Sequence, residues 1–231
     1  GFNLKKMDLL IVPDAGSNDV QAIEECYKND VEVLILDHHN LSEKNATQTE
    51  AVLINQHNSP EVKNKNVAGA GVVYKFCKFV DNQIGKNFAD RYLDLVAIGT
   101  IADLMDLREL ETRYLVLQGL SNIRNTFLLE IIERHRYLIG DTVTITSVGW
   151  NIAPLINATI RAGKPKERMD MFRAMIGEEE VIEYKTKGRV EHHTLQQTMA
   201  RVCTNIKGRQ DRAVKKSVEE IEEKLTQGGY D

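Results

Sequence analysis

The chain has 231 residues, of which 42% are hydrophobic and 28% charged, with a formal net charge of −4. That is enough apolar material for one large domain, or one domain with an appendage. The negative balance excludes wholesale coating of nucleic acid but leaves local basic patches open. Cys26, Cys77 and Cys203 lie far apart with no ligand-like spacing, which excludes a disulfide scaffold and makes each a small buried hydrophobe in a reduced, cytoplasmic setting. No stretch approaches the roughly 18 apolar residues of a membrane span, and no signal peptide is visible.

The opening "GFNLKKMDLLIVPDAG" has no initiator methionine and enters a strand almost at once, as expected for a piece of a longer protein. Residues 7–14 read as a buried strand ending on Asp14. Residues 17–30 read as an amphipathic helix, with Val20, Ile23 and Tyr27 at i, i+3 and i+7 and Ser17 or Asn18 as N-cap. "VEVLIL" (31–36) is the next strand, so strand–helix–strand with a short crossover predicts a parallel pair. Residues 51–55 form a further strand.

The pattern then turns helical over 67–85, 88–104, 109–123 and 126–138. Residues 143–150 read as a strand or an extended connection, followed by a turn, a short helix and another helix up to residue 175. From Glu178 onward the composition favours helix, with Leu195, Met199, Val202 and Ile206 stepping by 4, 3, 4 and Val214, Val218, Ile221 and Leu225 repeating the step. Such a stripe on a charged helix calls for a partner surface, and Gly188 and Gly208 argue against one unbroken rod.

"VEVLILDHHN" raises the chemical question, because a strand of aliphatic residues stops on Asp37, His38 and His39. Asp14 and Asp37 fall at the carboxyl ends of neighbouring parallel strands, the edge where open α/β sheets place ligands. A single aspartate there is ordinarily a turn or cap. Two at equivalent strand ends, with histidines adjoining, suit a hard cation with mixed oxygen and nitrogen ligands. In "VAIGTIADLMDL", Asp103 sits in an apolar run where an unpaired carboxylate would cost several kcal/mol, roughly. A cation or a helix-capping role would relieve it. Arg161, Lys164, Lys166, Arg168 and Arg173 form a candidate track for backbone phosphates, the plainer reading being a solvated helical face.

The segments "VPDAGSND", "ILDHHN", "AVLINQHNSP" with "VAGAGVVYKF", "AIGTIADLMDL" and "APLINATIRAG" resemble, in order and spacing, the DHH phosphoesterases, and most closely their RecJ-type single-strand exonucleases. The resemblance implies an α/β fold: a parallel-sheet DHH-type core over residues 1–177, flanked by helices, then a long connecting helix over 178–231. It implies a metal-dependent phosphodiesterase that degrades single-stranded DNA from the 5′ end in repair and recombination, with Mn²⁺ or Mg²⁺ as cofactor and single-stranded nucleic acid, DNA before RNA, as partner. By the same resemblance Asp14, Asp37, His38, His39 and Asp103 are catalytic. Asp14, His38 and Asp103 are metal ligands, and Asp37 orients the His38 ring. His39, Asn157, Arg161 and Lys164 contact phosphate or nucleic acid. The family's first motif, an Asp-x-Asp segment, has no counterpart here, so at most one ion is expected. A non-catalytic scaffold or single-strand binder in a replication or repair assembly is the alternative.

Overall fold

The structure, a computed structural model, describes residues 4–42, 50–186 and 189–226. The chain divides into two compact units, Gly1–Ile123 and Arg124–Asp231; the expected division at 177/178 falls inside the second.

In the first unit, β1 (Leu9–Pro13), α1 (Val20–Tyr27), β2 (Glu32–Leu36) and β3 (Val52–Ile54) build a three-stranded parallel sheet in the order β1-β2-β3. Side chains alternate across β2. Val33 and Ile35 join Ile23 and Cys26 of α1 in one core cluster. Leu36 packs the opposite way against Val67 and Val72, beside Leu34. A strand covered on both faces reads as a near-continuous apolar run, which is why "VEVLIL" lacks a clean alternation.

The register sets the edge that matters. Leu9↔Glu32 through Pro13↔Leu36 pairs β1 with β2, and Leu34↔Val52 through Leu36↔Ile54 pairs β2 with β3. The next residues continue the ladder, with the Asp14 amide donating to the Leu36 carbonyl at 2.8 Å and the Asp37 amide to Ile54 at 3.0 Å. Asp14, Asp37 and Asn55 therefore leave the sheet in one row.

Beyond the sheet come α2 (Gly69–Ile84), a 3₁₀ turn (Ala89–Tyr92), α3 (Leu93–Ala102) and α4 (Leu110–Ser121). Helix α3 is apolar nearly all round, as a helix buried among others must be, and Val96, Ala97, Ile98 and Ile101 are buried. Glycines let its neighbours approach closely. A Cβ on Gly119 of α4 would lie 2.1 Å from the Leu93 carbonyl oxygen.

The described residues of the second unit are mostly helical, with one antiparallel strand pair. It contains α5 (Thr126–Arg134), α6 (Arg136–Ile139), α7 (Ile145–Ser147) running into a π-helical turn (Val148–Ile152), α8 (Ala153–Ala162) and α9 (Pro165–Met175). Then β4 (Val181–Thr186) pairs antiparallel with β5 (Arg189–Thr194), and α10 spans Leu195–Thr226. Leu195, Met199, Ala200, Cys203 and Ile206 of α10 are buried, whereas Val214, Val218, Ile221 and Leu225 are exposed.

The α/β class, the parallel sheet and the long C-terminal helix agree with expectation. Several details differ. Residues 145–150 are helical, and only 143–144 stay extended, because Val148 and Ile152 are buried in a helical frame that the Thr144 hydroxyl caps by accepting from the Ser147 amide at 3.1 Å. Tertiary burial overrides their β-branched character. Residues 181–186 and 189–194 form an antiparallel strand pair where helix was expected. Gly208 does not interrupt α10, where a Cβ would meet only the Arg212 guanidinium; Gly188 lies outside the described residues. Cys77 is exposed on α2, while Cys26 and Cys203 are buried. No helix among the described residues is long and apolar enough to cross a membrane.

The close approach at Gly119 yields a stability prediction. Gly119→Ala forces α4 away from the Leu93 carbonyl and should cost about 2 kcal/mol, within the usual range for overpacking. Urea denaturation measures it, and an unchanged midpoint would refute the tight α3–α4 contact.

Candidate metal centre

Asp14 ends β1 with φ at +59°, a left-handed conformation that aspartate tolerates better than most residues. The turn aims its carboxylate along the sheet edge instead of continuing the strand. Space for that carboxylate comes from Gly69 at the start of α2, where a Cβ would fall 2.0 Å from Asp14 Oδ1. His38 Nε2 lies 3.2 Å from Asp14 Oδ1 and 3.4 Å from Asp103 Oδ2. Its side chain is 11% exposed, while both carboxylates are largely exposed. Asp103 is the C-cap residue of α3. It is thus a helix-end carboxylate turned toward His38, not the buried charge in an apolar run that its sequence context suggested.

Asp37 is 2% exposed and works differently. Its Oδ2 accepts from the Ser17 amide at 3.1 Å. Its Oδ1 accepts from the His38 amide at 2.7 Å, the His39 amide at 3.2 Å and the His39 ring Nδ1 at 2.7 Å. Burial alone would raise the Asp37 carboxyl, but the Ser17 hydroxyl, the His39 ring and the amides of Ser17 and His39 outweigh it and hold the group well below the ordinary carboxylate range. An ionised carboxylate only accepts, so Nδ1 of His39 carries the proton of that bond. The same bond, ahead of desolvation opposing it, raises the His39 pKa. The ring that Asp37 orients is therefore His39, not His38 as expected. The His38 and His39 rings stand 4.7 Å apart, centroid to centroid.

Asp14 has its pKa raised, first by desolvation and further by Asp103 and Asp37, with His38 and His39 opposing. Carboxylates crowded in this way favour a cation between them. Two overlapping sets meet here: ligand atoms of Asp14, His38 and His39 lie within 4.8 Å of one another, and Asp14 and Asp103 both approach His38 Nε2. The separations around His38 Nε2 are close to the roughly 3 Å expected of adjacent ligands on one octahedral cation with bonds near 2.1 Å. Two carboxylates and an imidazole suit Mn²⁺ and Mg²⁺.

Two supporting residues were missed in the sequence. Buried Asn55 donates through Nδ2 to Ser17 Oγ and to the His39 carbonyl, both at 2.9 Å, and accepts from the His57 amide. Ser17, expected as a helix cap, joins this network instead, and the N-cap of α1 is Asp19. Asn18 ties the following loop by donating to the Asn40 carbonyl and accepting from the Ser42 amide. The only advance signal for Asn55 was a polar residue at the carboxyl end of the third strand.

The expected phosphate contacts lie in the second unit. Asn157 is partly buried on α8, and Arg161 is exposed one turn later. Lys164 is the N-cap residue of α9, its amide donating to Glu167 at 2.7 Å. The basic track is shorter than expected. Lys166 pairs with Asp170, and Arg173 pairs with Asp170, Glu178 and Glu180. Arg161, Lys164 and Arg168 make no ion pair among the described residues.

Residues 2–100 match the DHH family, N-terminal domain, a span that holds Asp14 through His39 and stops just before Asp103. The SPbeta prophage-derived protein YorK of Bacillus subtilis, provisionally named a single-strand DNA-specific exonuclease, is 36% identical over 95% of this chain. The single-stranded-DNA-specific exonuclease RecJ of Thermus thermophilus is 28% identical over 76% of the chain. The chain spans 38% and 27% of these relatives, respectively. A structure of exonuclease RecJ bound to manganese superposes with TM-score 0.77 at 24% identity, covering 94% of this chain and 51% of that one. A RecJ–Mn²⁺ structure from Thermus thermophilus gives 0.76 at 24% identity, covering 94% and 30%. At that identity the superpositions speak to the fold.

Two substitutions separate the ion site from its scaffold. Gly69→Ala displaces the Asp14 carboxylate and should weaken Mn²⁺ binding about tenfold or more, comparable to losing a ligand's support, while leaving the chain folded. Isothermal titration reads the affinity, and unchanged binding refutes the assignment of Asp14. Asp37→Ala strands the Ser17, His38 and His39 amides and should cost about 3 kcal/mol of stability, with thermal unfolding as the check.

Proposed function

We propose that this chain, whose residues 2–100 match the DHH family, N-terminal domain, carries the metal site of a phosphodiesterase that degrades single-stranded DNA. The observation that carries this reading is the approach of both Asp14 and Asp103 to His38 Nε2 at the sheet edge, with the His39 ring held beside it by a buried carboxylate. A scaffold has no physical need for such a cluster.

In this reading Asp14, His38 and Asp103 hold Mn²⁺ or Mg²⁺. Such an ion supplies an activated water and offsets charge developing on the reacting phosphate. The protein's own groups do the positioning. Asp37 fixes the His39 ring through Nδ1, so Nε2 faces outward, and in the protonated ring that nitrogen donates to a phosphate oxygen. The rise in the His39 pKa favours that form. Arg161, Lys164 and Asn157 contact backbone phosphates of the strand, where positive and amide donors add affinity without reading sequence. Digestion from the 5′ end, a preference for DNA over RNA and a role in repair or recombination complete the proposal, on the strength of the relatives' names and the motif resemblance.

The test is direct. Incubated with end-labelled single-stranded DNA and Mn²⁺, the protein should release nucleotides, and duplex DNA should survive. Chelation of the metal, or His38→Ala, should reduce release to background. Metal-dependent turnover that persists in His38→Ala would overturn the mechanism.

A further inference from the structure

The π-helical turn (Val148–Ile152) runs straight into α8, and together they show solvent one narrow face. Val148 and Ile152 are fully buried, and from Ile152 to Thr159 only Pro154 and Asn157 escape burial. Trp150 precedes this stretch and Arg161 follows it, both exposed. Positions 150, 154, 157 and 161 step by 4, 3 and 4, the spacing of a single helical face. We infer that Trp150 is a stacking platform for a nucleobase of the bound strand. The inference rests on the single-strand reading above, and it adds a base contact to the phosphate contacts on the same face.

The exposure of Trp150 is the first observation. Its side chain is 78% exposed, although an indole is among the largest apolar surfaces that a residue can bury. The local backbone sets it there. The Ala153 amide donates to the Val148 carbonyl, five residues back, so this turn is wider than an α-helical one. Single π turns within helices recur at functional sites.

The rest of the face selects the ligand. Arg161 and Lys164 stand exposed at the far end of α8, and neither makes an ion pair among the described residues. Such cations attract phosphate. Asn157, between them and Trp150, offers an amide for phosphate or sugar. Inorganic phosphate would use the cations and leave the indole bare. A single strand supplies both partners, a charged backbone and base faces open to an aromatic side chain. At about 1.5 Å per residue, Trp150 and Asn157 are separated by roughly 10 Å along the axis, so one strand can reach both. Every base has a π-face, so the platform adds affinity without reading sequence.

The chain holds one tryptophan, so its selectively excited fluorescence reports Trp150 alone. With a chelator present to prevent cleavage, oligothymidylate should quench that emission saturably. An abasic strand of equal length should bind more weakly, read by anisotropy of an end label, and leave the emission unchanged. By the same anisotropy, Trp150→Ala should weaken oligothymidylate binding about tenfold, in line with loss of one stacked base. It should leave abasic-strand binding unaltered, and Trp150→Phe should retain most of the affinity for oligothymidylate. Oligothymidylate that binds without quenching, or that binds Trp150→Ala as tightly as the unsubstituted chain, overturns the platform and leaves the proposed function standing. A chain that binds neither strand overturns both. Quenching without metal-dependent cleavage, scored separately, rejects the phosphodiesterase and keeps the platform.

Discussion

The register of a short parallel sheet is the constraint on which the centre depends. Pairing Pro13 with Leu36 and Leu36 with Ile54 makes the chain leave all three strands at the same level. Asp14, Asp37 and Asn55 are the first residues out. A slip of one residue in β2 would turn Val33 and Ile35 off the α1 core and carry Asp37 away from the Ser17 amide. The buried faces of β2 therefore fix the chemistry at its end. The hydrophobic core sets which polar side chains meet, and the polar network then locks them.

Within that row the aspartates divide their tasks by environment. Asp37 is buried, saturated with donors and held ionised, so it organises the backbone of the Asp-His-His segment without the help of an ion. Asn55 extends the same order by joining Ser17 to the His39 carbonyl. Asp14 and Asp103 are exposed, face the same imidazole nitrogen, and have few donors of their own among the described residues. Preorganised ligands on a rigid edge lose little entropy when a cation arrives, which is the advantage of building the site on strand ends and helix ends rather than on a free loop. Gly69 contributes by omission, since any side chain there would occupy the space of the Asp14 carboxylate.

How much of this was legible in the sequence depends on how local each signal was. The strands and their acidic ends were legible because a run such as "VEVLIL" has to be buried, and a buried strand has to surface on polar residues. Asp103 was found through its motif, though the physical reason given for it, a charge in an apolar run, does not hold at a helix end. Ser17 and Asn55 were not legible. Their side chains suit caps and turns equally well, and their partners lie 20 or more residues away or on another strand. The strand pair at 181–186 and 189–194 had a usable signal, Val, Ile and Tyr alternating with charge, but the density of charged residues read as helix. The segment 145–150 went the other way, where β-branched residues are helical because Val148 and Ile152 are buried. In both cases a weak local propensity met a long-range packing requirement, and packing decided.

The charge arrangement implies an order of events for the proposed reaction. A polyanionic strand meets repulsion at Asp14 and Asp103 while their charges are uncompensated. The repulsion is strongest at the position the reacting phosphate must occupy. A cation held by Asp14, His38 and Asp103 would reverse the sign of the local field, so in the proposed reaction metal binding would precede productive placement of phosphate. His39 is the complementary element: its tie through Nδ1 to an ionised Asp37 favours the positive ring, which in the proposed reaction would donate from Nε2 to phosphate. Asp37 thus serves both halves of the site, because the carboxylate that fixes the His38 amide also favours the positive form of the His39 ring.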